Sequence, residues 1–482
     1  VEIASAIGSE ERMKLSGTLG GAPLAIDVRS DKQERTFRVD VSAAAGPRLV
    51  REYRVRGGSH AEYVRVFEAL AHDFQMRVPL SHLPPRVDAA PPGLRVLLSE
   101  SLVPEILYGY GDPAMVRVAG TPPNAAIYYL AVTSNDAPHS VPILKSSDLE
   151  HWTVDQFAFP PGKNPPWAAR DGDGAEFWAP EIHRVGDRFV LCFAARDPKG
   201  ALAIGLAVAE SPGDGFVPQP QPLKRGGVID PHIHVEPNGD ATVYWKRDSN
   251  DRWPGMLARL LRKRPDLMER LFDSEASLRT AAFAATLSKW AEGLSAMERF
   301  LVLQTLIEAV VEDFAGFRAR LEMLRGEPAL ERQVEDIIEA MRTIIYGQAL
   351  DPETLSVRGT PAIVLENDEP WEAHLVEGPW VWREGDLCFI FYAGNDFTNA
   401  NYGIGVGVSP SPLGPFVKQE KPLLRSTHDW WGLGHPSVAR APDGKSHLFL
   451  HGYRRGRVGY KEFRALLDVP LCFEGGRVTT GA

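Results

Sequence analysis

Three acids stand immediately before tight, proline-containing corners in this 482-residue chain: Asp112 in Gly111-Asp112-Pro113, Asp230 in Ile229-Asp230-Pro231, and Glu377 in Glu377-Gly378-Pro379. Proline fixes its own φ and disfavours the helical region for the residue before it, so each acid is held at an extended corner rather than on a helix face. An acid at the mouth of a strand buried on both faces, as Glu377 is ahead of Leu387-Cys388-Phe389-Ile390-Phe391-Tyr392-Ala393, is partly desolvated. Desolvation disfavours the charged form and raises the pKa, which makes Glu377 a candidate proton donor. If the three corners converge, their chemistry is acid–base work on one bond.

Such corners need a repeating β scaffold, and the chain carries the rhythm of one. From Ile106 onward, short apolar runs at 126–132, 189–194, 203–209, 242–245, 387–393, 404–408 and 447–451 each have the length of one strand. Hairpin punctuation such as Val185-Gly186-Asp187, Pro237-Asn238-Gly239-Asp240, Arg383-Glu384-Gly385-Asp386 and Pro442-Asp443-Gly444-Lys445 separates them. A longer motif also recurs, a strand ending in Ser, then an acid or Pro, then an aromatic. It occurs in Lys145-Ser146-Ser147-Asp148-Leu149-Glu150-His151-Trp152, in Ala209-Glu210-Ser211-Pro212-Gly213-Asp214-Gly215-Phe216, and in Val408-Ser409-Pro410-Ser411-Pro412-Leu413-Gly414-Pro415-Phe416. Copies of one outer hairpin predict radially repeated four-stranded sheets, a β-propeller.

Two regions break this rhythm. Residues 253–344 lose the turn residues and show helical spacing: Phe300, Leu303, Ile307, Val310, Phe314, Phe317, Leu321 and Leu324 step by three and four. Ser295-Ala296-Met297-Glu298 before them has the form of a capping box, and 257–261, 278–290 and 334–345 supply packing partners. This predicts a helical bundle inserted in the β unit, a candidate surface for self-association. Residues 1–100 read as an accessory region, with strands around 37–41 and 53–56, an amphipathic helix over 63–74, and a stiff Pro84-Pro85 and Pro91-Pro92 connector. The expected order is therefore an accessory region 1–100, the first propeller part 101–252, the helical insertion 253–344 and the second propeller part 345–482.

Composition narrows the partners. A net charge of -10 argues against nucleic acid or an anionic membrane surface, and no apolar run approaches the roughly 20 residues that cross a bilayer. Cys192, Cys388 and Cys472 lack zinc-ribbon or redox-pair spacing and read as free thiols, the first two buried in strands. The sequence begins at Val1 without a visible apolar leader, which leaves the compartment open.

The corner motifs together resemble those of glycoside hydrolase family 43 and its five-bladed propeller relatives, over about residues 106–252 and 345–465. By that resemblance Asp112 is the general base, Asp230 orients the acid and tunes its pKa, and Glu377 is the general acid. Phe177-Trp178-Ala179-Pro180-Glu181-Ile182-His183 is similar to the second-blade signature, with Glu181 where Asp is usual. Gly434-His435-Pro436-Ser437 is similar to the last-blade motif, whose histidine in some members lies near a central ion or water cluster. The implied activity is inverting hydrolysis of a small glycoside, an α-L-arabinofuranoside or β-D-xyloside, without a required cofactor. Alternatives are a related propeller enzyme acting on a fructoside or galactofuranoside, a sugar transferase, and a non-catalytic carbohydrate-binding scaffold.

His232 and His234 share one strand face and are candidate sugar contacts. The rings of Trp178, Phe397, Trp430 and Trp431 are candidate stacking walls. His435 is a candidate contact and a candidate ligand of a central Ca2+.

Overall fold

The computed structural model describes residues 2–8, 12–19, 22–31, 36–43, 49–54, 69, 86–120, 126–169, 176–248, 252–292 and 296–481. The chain divides into two compact units, Val1–Leu83 with Ser249–Arg342, and Pro84–Asp248 with Thr343–Ala482. Among the described residues no helix is long and apolar enough to cross a membrane.

The second unit consists of five antiparallel sheets. Their innermost strands are Ala114–Ala119, Trp178–Val185, Val228–Val235, Val376–Glu384 and Trp430–Arg440. Each touches the next, and the fifth touches the first, so the sheets stand around one axis as the blades of a propeller. All seven apolar runs read from the sequence are second or third strands of these blades. The recurring Ser-to-aromatic motif joins third to fourth strands in the first, second and fourth blades, where the chain must reverse at the rim. Neighbouring blades pack through apolar faces; Phe159, Phe177, Phe193 and Trp167 form one such seam, with Trp167 stacked 5.9 Å from Phe193.

The ring closes between its two ends. Arg95–Leu98 pairs with Arg464–Glu474, the third strand of the fifth blade, and so supplies that blade from before the first. Arg95 clamps Asp468 through two hydrogen bonds of 3.0 and 2.7 Å, and Asp468 is fully buried.

Five inner strands share one local device. Asp112, Ala179, Asp230, Gly378 and His435 all have positive φ, between 42° and 56°, and each precedes a proline. In the last four blades the pairing register slips at this step. Proline offers no N–H to the ladder, and the bulge that results re-aims the side chain. Holding a non-glycine residue there costs on the order of 1 kcal/mol each.

The first unit carries a five-stranded antiparallel meander of Glu2–Gly8, Arg12–Leu19, Ala22–Asp31, Thr36–Ala43 and Leu49–Arg54. Its longer helices are Arg252–Lys263, Glu275–Ala291, Ala296–Val311, Phe314–Met323 and Glu331–Ala340. In chain order the helices fall between Ala241–Arg247 and Ile344–Leu350, adjacent strands of the third blade. The N-terminal strands and the inserted helices, read from sequence as separate regions, belong to this one unit. The apolar ladder from Phe300 to Leu324 is two helices rather than one, because Asp313 breaks it and caps the second by accepting from the Gly316 N–H. The expected capping box at Ser295 and, but for Ala69, the expected helix over 63–74 lie outside the described residues.

Candidate active site

The five corners face one another, and hydrogen bonds lace them together. Thr133, which follows the second strand of the first blade, donates its Oγ1 proton to Asp112 Oδ2 at 2.5 Å and accepts from the Ala179 N–H at 2.8 Å, tying the first corner to the second. Asp230 Oδ2 accepts from the Gly378 N–H at 2.8 Å, tying the third to the fourth. His451 Nδ1 accepts from the Asp112 N–H at 3.1 Å, tying the fifth blade to the first.

Around Asp112 the charge is positive. Arg464 Nη1 donates to Oδ1 at 2.8 Å, and the Nδ1 atoms of His435 and His451 lie 3.4 Å from the same oxygen. Burial alone would push this carboxyl up. Arg464, the two imidazoles and the Thr133 hydroxyl more than offset it and hold Asp112 well below the usual carboxylate range. Arg464 reaches Asp112 only because position 111 has no side chain: a Cβ there would stand 1.8 Å from the guanidinium carbon.

Across the ring the balance reverses. Glu377 is buried, accepts from Lys246 Nζ at 3.0 Å through Oε2 and from the Tyr402 hydroxyl at 2.8 Å through Oε1. Burial raises its pKa above the ordinary value; Lys246 and Tyr402 pull it down in part, while Asp230 pushes it up. Asp230 is raised from 3.8 to about 6, first by burial and then by the negative charge of Asp112, against the pull of Lys246. Tyr402 fits beside Glu377 because Gly434 is bare; a Cβ there would lie 1.9 Å from its ring. The site thus holds one carboxyl group that stays ionised beside two that keep a proton more readily.

The other expected contacts are distributed more widely. His435 has 5% of its surface exposed, lies beside Asp112, and burial holds it below the ordinary imidazole range. His232 is enclosed: its Nδ1 is 2.8 Å from Glu181 Oε2 and its Nε2 accepts from the Val381 N–H at 2.9 Å, so both nitrogens are committed to protein. His183 Nε2 meets the same Glu181 oxygen at 2.7 Å, and burial raises Glu181 well above the usual range and lowers His183 to about 3. Glu181 is thus enclosed between two imidazoles in the seam between the second and third blades. His234 lies four residues beyond Asp230, at the far end of its strand.

Trp430 and Trp431, candidate stacking walls, begin the innermost strand of the fifth blade. Trp431 is buried with Ala400, Tyr453 and Val458, while Trp430 is half-buried under the Arg454 guanidinium. Trp178 begins the second inner strand, half-buried, with the Arg196 guanidinium 5.0 Å from its ring centre. Phe397 is half-buried in the connection between the second and third strands of the fourth blade.

The donor set around His435 does not suit calcium, which takes six to eight oxygen ligands. The carboxylate oxygen facing His435 is already paired with Arg464, and among the described residues neither cluster with metal-ligand spacing includes His435.

Thr133, Lys246, Tyr402, His451 and Arg464 were not singled out from sequence. Lys246 carried one legible signal: it directly follows the apolar run Val243-Tyr244-Trp245, where a cation inside a sheet needs a buried partner.

The comparisons with known proteins agree with this architecture. The family model of glycosyl hydrolases family 43 matches residues 104–290 and 332–470, more than half of the chain, and the chain belongs to that family. The gap in the match, 291–331, lies within the inserted helices. The xylosidase/arabinosidase 43A of Humicola insolens is 34% identical over 92 residues, 19% of this chain and 25% of that protein. The β-xylosidase of Xylanibacter ruminicola is 28% identical over 92 residues, 19% of this chain and 26% of that protein. The chain thus spans about a quarter of the length of the curated relatives it matches. A crystal structure of a thermostable family-43 glycoside hydrolase superposes with a TM-score of 0.54 at 21% identity, covering 78% of this chain and 93% of the other, a likeness of fold.

Proposed function

We propose that the protein is an inverting glycosidase that releases a pentose, from an α-L-arabinofuranoside or a β-D-xyloside. The observation that carries this reading is the opposed environment of the corner acids. Asp112 is held ionised by Arg464, whereas burial raises Asp230 and Glu377. Inversion needs both states at once: a carboxylate to take a proton from the attacking water and a carboxylic acid to protonate the leaving oxygen, on opposite faces of the sugar and roughly 6.5–9.5 Å apart.

In this reading Asp112 removes the proton from the water as its oxygen bonds to the anomeric carbon. Glu377 gives its proton to the glycosidic oxygen as that bond breaks. Asp230, hydrogen-bonded to the amide that follows Glu377, keeps Glu377 protonated by like-charge repulsion. Lys246 and Tyr402 fix the direction of the Glu377 carboxyl and are positioning residues. Two carboxyl groups and one water account for every proton, so the reaction needs no cofactor. The pentose preference is supported by the names of the two curated relatives, a xylosidase/arabinosidase and a β-xylosidase.

The test is turnover of alkyl α-L-arabinofuranoside and β-D-xyloside, whose leaving groups need a proton to depart, by the parent and by Asp112→Ala and Glu377→Ala. An active parent, a loss of about 10²–10⁴-fold in each variant and a first-released sugar of inverted anomer by proton NMR are expected. A parent that binds oligosaccharide without turnover, or that releases the retained anomer, would overturn the reading.

A further inference from the structure

The third and fourth blades carry a second chemical cluster, beyond the end of the third blade's innermost strand that lies opposite its corner. His234 stands four residues beyond Asp230, about 13 Å along an extended strand. Glu236 follows that strand, and Cys388 is on the second strand of the fourth blade. The His234 Nε2, Glu236 Oε1 and Cys388 Sγ atoms lie within 4.8 Å of one another. Nε2 to Oε1 is 3.3 Å and Sγ to Oε1 is 3.8 Å. A tetrahedral ion with bonds of about 2.0 Å to nitrogen and oxygen and about 2.3 Å to sulfur holds its donors at this separation.

The neighbouring triad of Glu181, His183 and His232 also has metal-ligand spacing. It differs because its donors already satisfy one another and the Val381 amide. In the His234 cluster Nε2 of His234 makes no aligned hydrogen bond, its neighbour Glu236 Oε1 standing 3.3 Å away, although 92% of the residue's surface is covered. A buried nitrogen without a well-aligned partner is unfavourable unless something occupies it. A mixed nitrogen, oxygen and sulfur donor set selects a borderline metal of the zinc class over calcium or magnesium.

The geometry points to a zinc-class divalent cation site formed by His234 Nε2, Glu236 Oε1 and Cys388 Sγ, with water completing the coordination. The Cys388 thiol loses its proton to solvent as the Sγ–metal bond forms. Arg383, which donates from Nε to Glu236 Oε2 at 2.6 Å and from Nη2 to Oε1 at 2.6 Å, keeps the first bond and gives up the second. It then orients the ligating carboxylate from outside, as such partners do in other metal sites. The Arg383 side chain is 24% exposed, which gives its guanidinium room to shift and the ion a way in. This inference does not rest on the glycosidase reading.

The test uses the full chain carrying Cys472→Ser, which removes the exposed thiol, freed of metal with a chelator and titrated with zinc against a chromophoric competitor. One equivalent of zinc per chain is expected, and cobalt in its place is expected to give a sulfur-to-cobalt charge-transfer band. Adding Cys388→Ser should abolish that band and weaken zinc binding by at least about 100-fold, since outer partners alone are worth about 10–100-fold. Stoichiometric binding that survives Cys388→Ser, or no stoichiometric binding by the folded parent, would overturn the site. Should Cys388→Ser fail to fold, zinc K-edge absorption on the Cys472→Ser chain decides. One sulfur at about 2.3 Å with nitrogen and oxygen at about 2.0 Å supports the site, and a shell without sulfur refutes it.

Discussion

Asp112 and Asp230 are the same residue type at the same corner of two blades, yet their surroundings push them in opposite directions. Arg464 and two imidazoles hold Asp112 ionised, while burial and the charge of Asp112 raise Asp230 to about 6. A folded pKa above the unfolded one means that the native state binds more protons between the two values. Stability is therefore lost as pH rises from about 4 to about 6, and the deficit persists at neutral pH. Asp230→Asn removes the titrating group while an amide oxygen still accepts from Gly378. The variant is expected to unfold later at pH 7 by on the order of 1–3 kcal/mol, to lose that pH dependence, and to lose about 10²-fold or more of kcat. Denaturant midpoints at pH 4 and pH 7 check the first two and steady-state kinetics the third. The acids themselves were legible, because proline after an acid is a local signal. Their partners were not: Arg464 lies 352 residues from Asp112 and Lys246 lies 131 from Glu377, and nothing local to an Arg or Lys tells which distant carboxylate it will meet.

At the scale of the element, the recurring unit is a residue at positive φ followed by proline and a register slip. Two of its copies, Asp112 and Asp230, were legible as acids before proline, and Glu377 stands one residue ahead of a third. The equivalence of Ala179 and Gly378 to the two aspartates and to His435 was not, since alanine and glycine before proline carry no chemistry to notice. Gly378 leaves room for the His435 ring, whose Nδ1 lies 3.0 Å from where a Cβ would stand, and neighbouring glycines do the same for other partners. Gly111→Ala would drive a Cβ into the Arg464 guanidinium. The expected cost is about 1–3 kcal/mol from overpacking. A larger consequence is that Asp112 loses its main counter-charge, its pKa rises, and the acidic limb of kcat/KM moves to higher pH. Gly215→Ala, which meets nothing within 4 Å, should change neither. The helical region shows the converse limit of local reading: its apolar period was visible, but a single Asp at 313 turned one ladder into two helices.

For the molecule as a whole, the acids meet only if the ring closes, and closure depends on a strand from one end of the propeller completing the blade at the other. Repeats in the sequence disclosed the blades, but the strand Arg95–Leu98 lies next to a proline connector and reads as its continuation. Its pairing is non-local and leaves no periodic trace. Arg95→Ala removes the clamp on buried Asp468 and, with Arg95 itself nearly half exposed, is expected to lower stability by about 1–2 kcal/mol in a denaturant titration, with kcat per folded molecule unchanged. The central claim, that acids from the first, third and fourth blades divide one reaction between them, is tested most directly by leaving-group dependence. Glu377→Ala should retain most of its kcat on a dinitrophenyl glycoside, which needs no proton to depart, and lose about 10²–10⁴-fold on the alkyl glycoside, whereas Asp112→Ala should be slow on both. Equal losses for Glu377→Ala on the two substrates, or recovery of Asp112→Ala on the activated one, would contradict it.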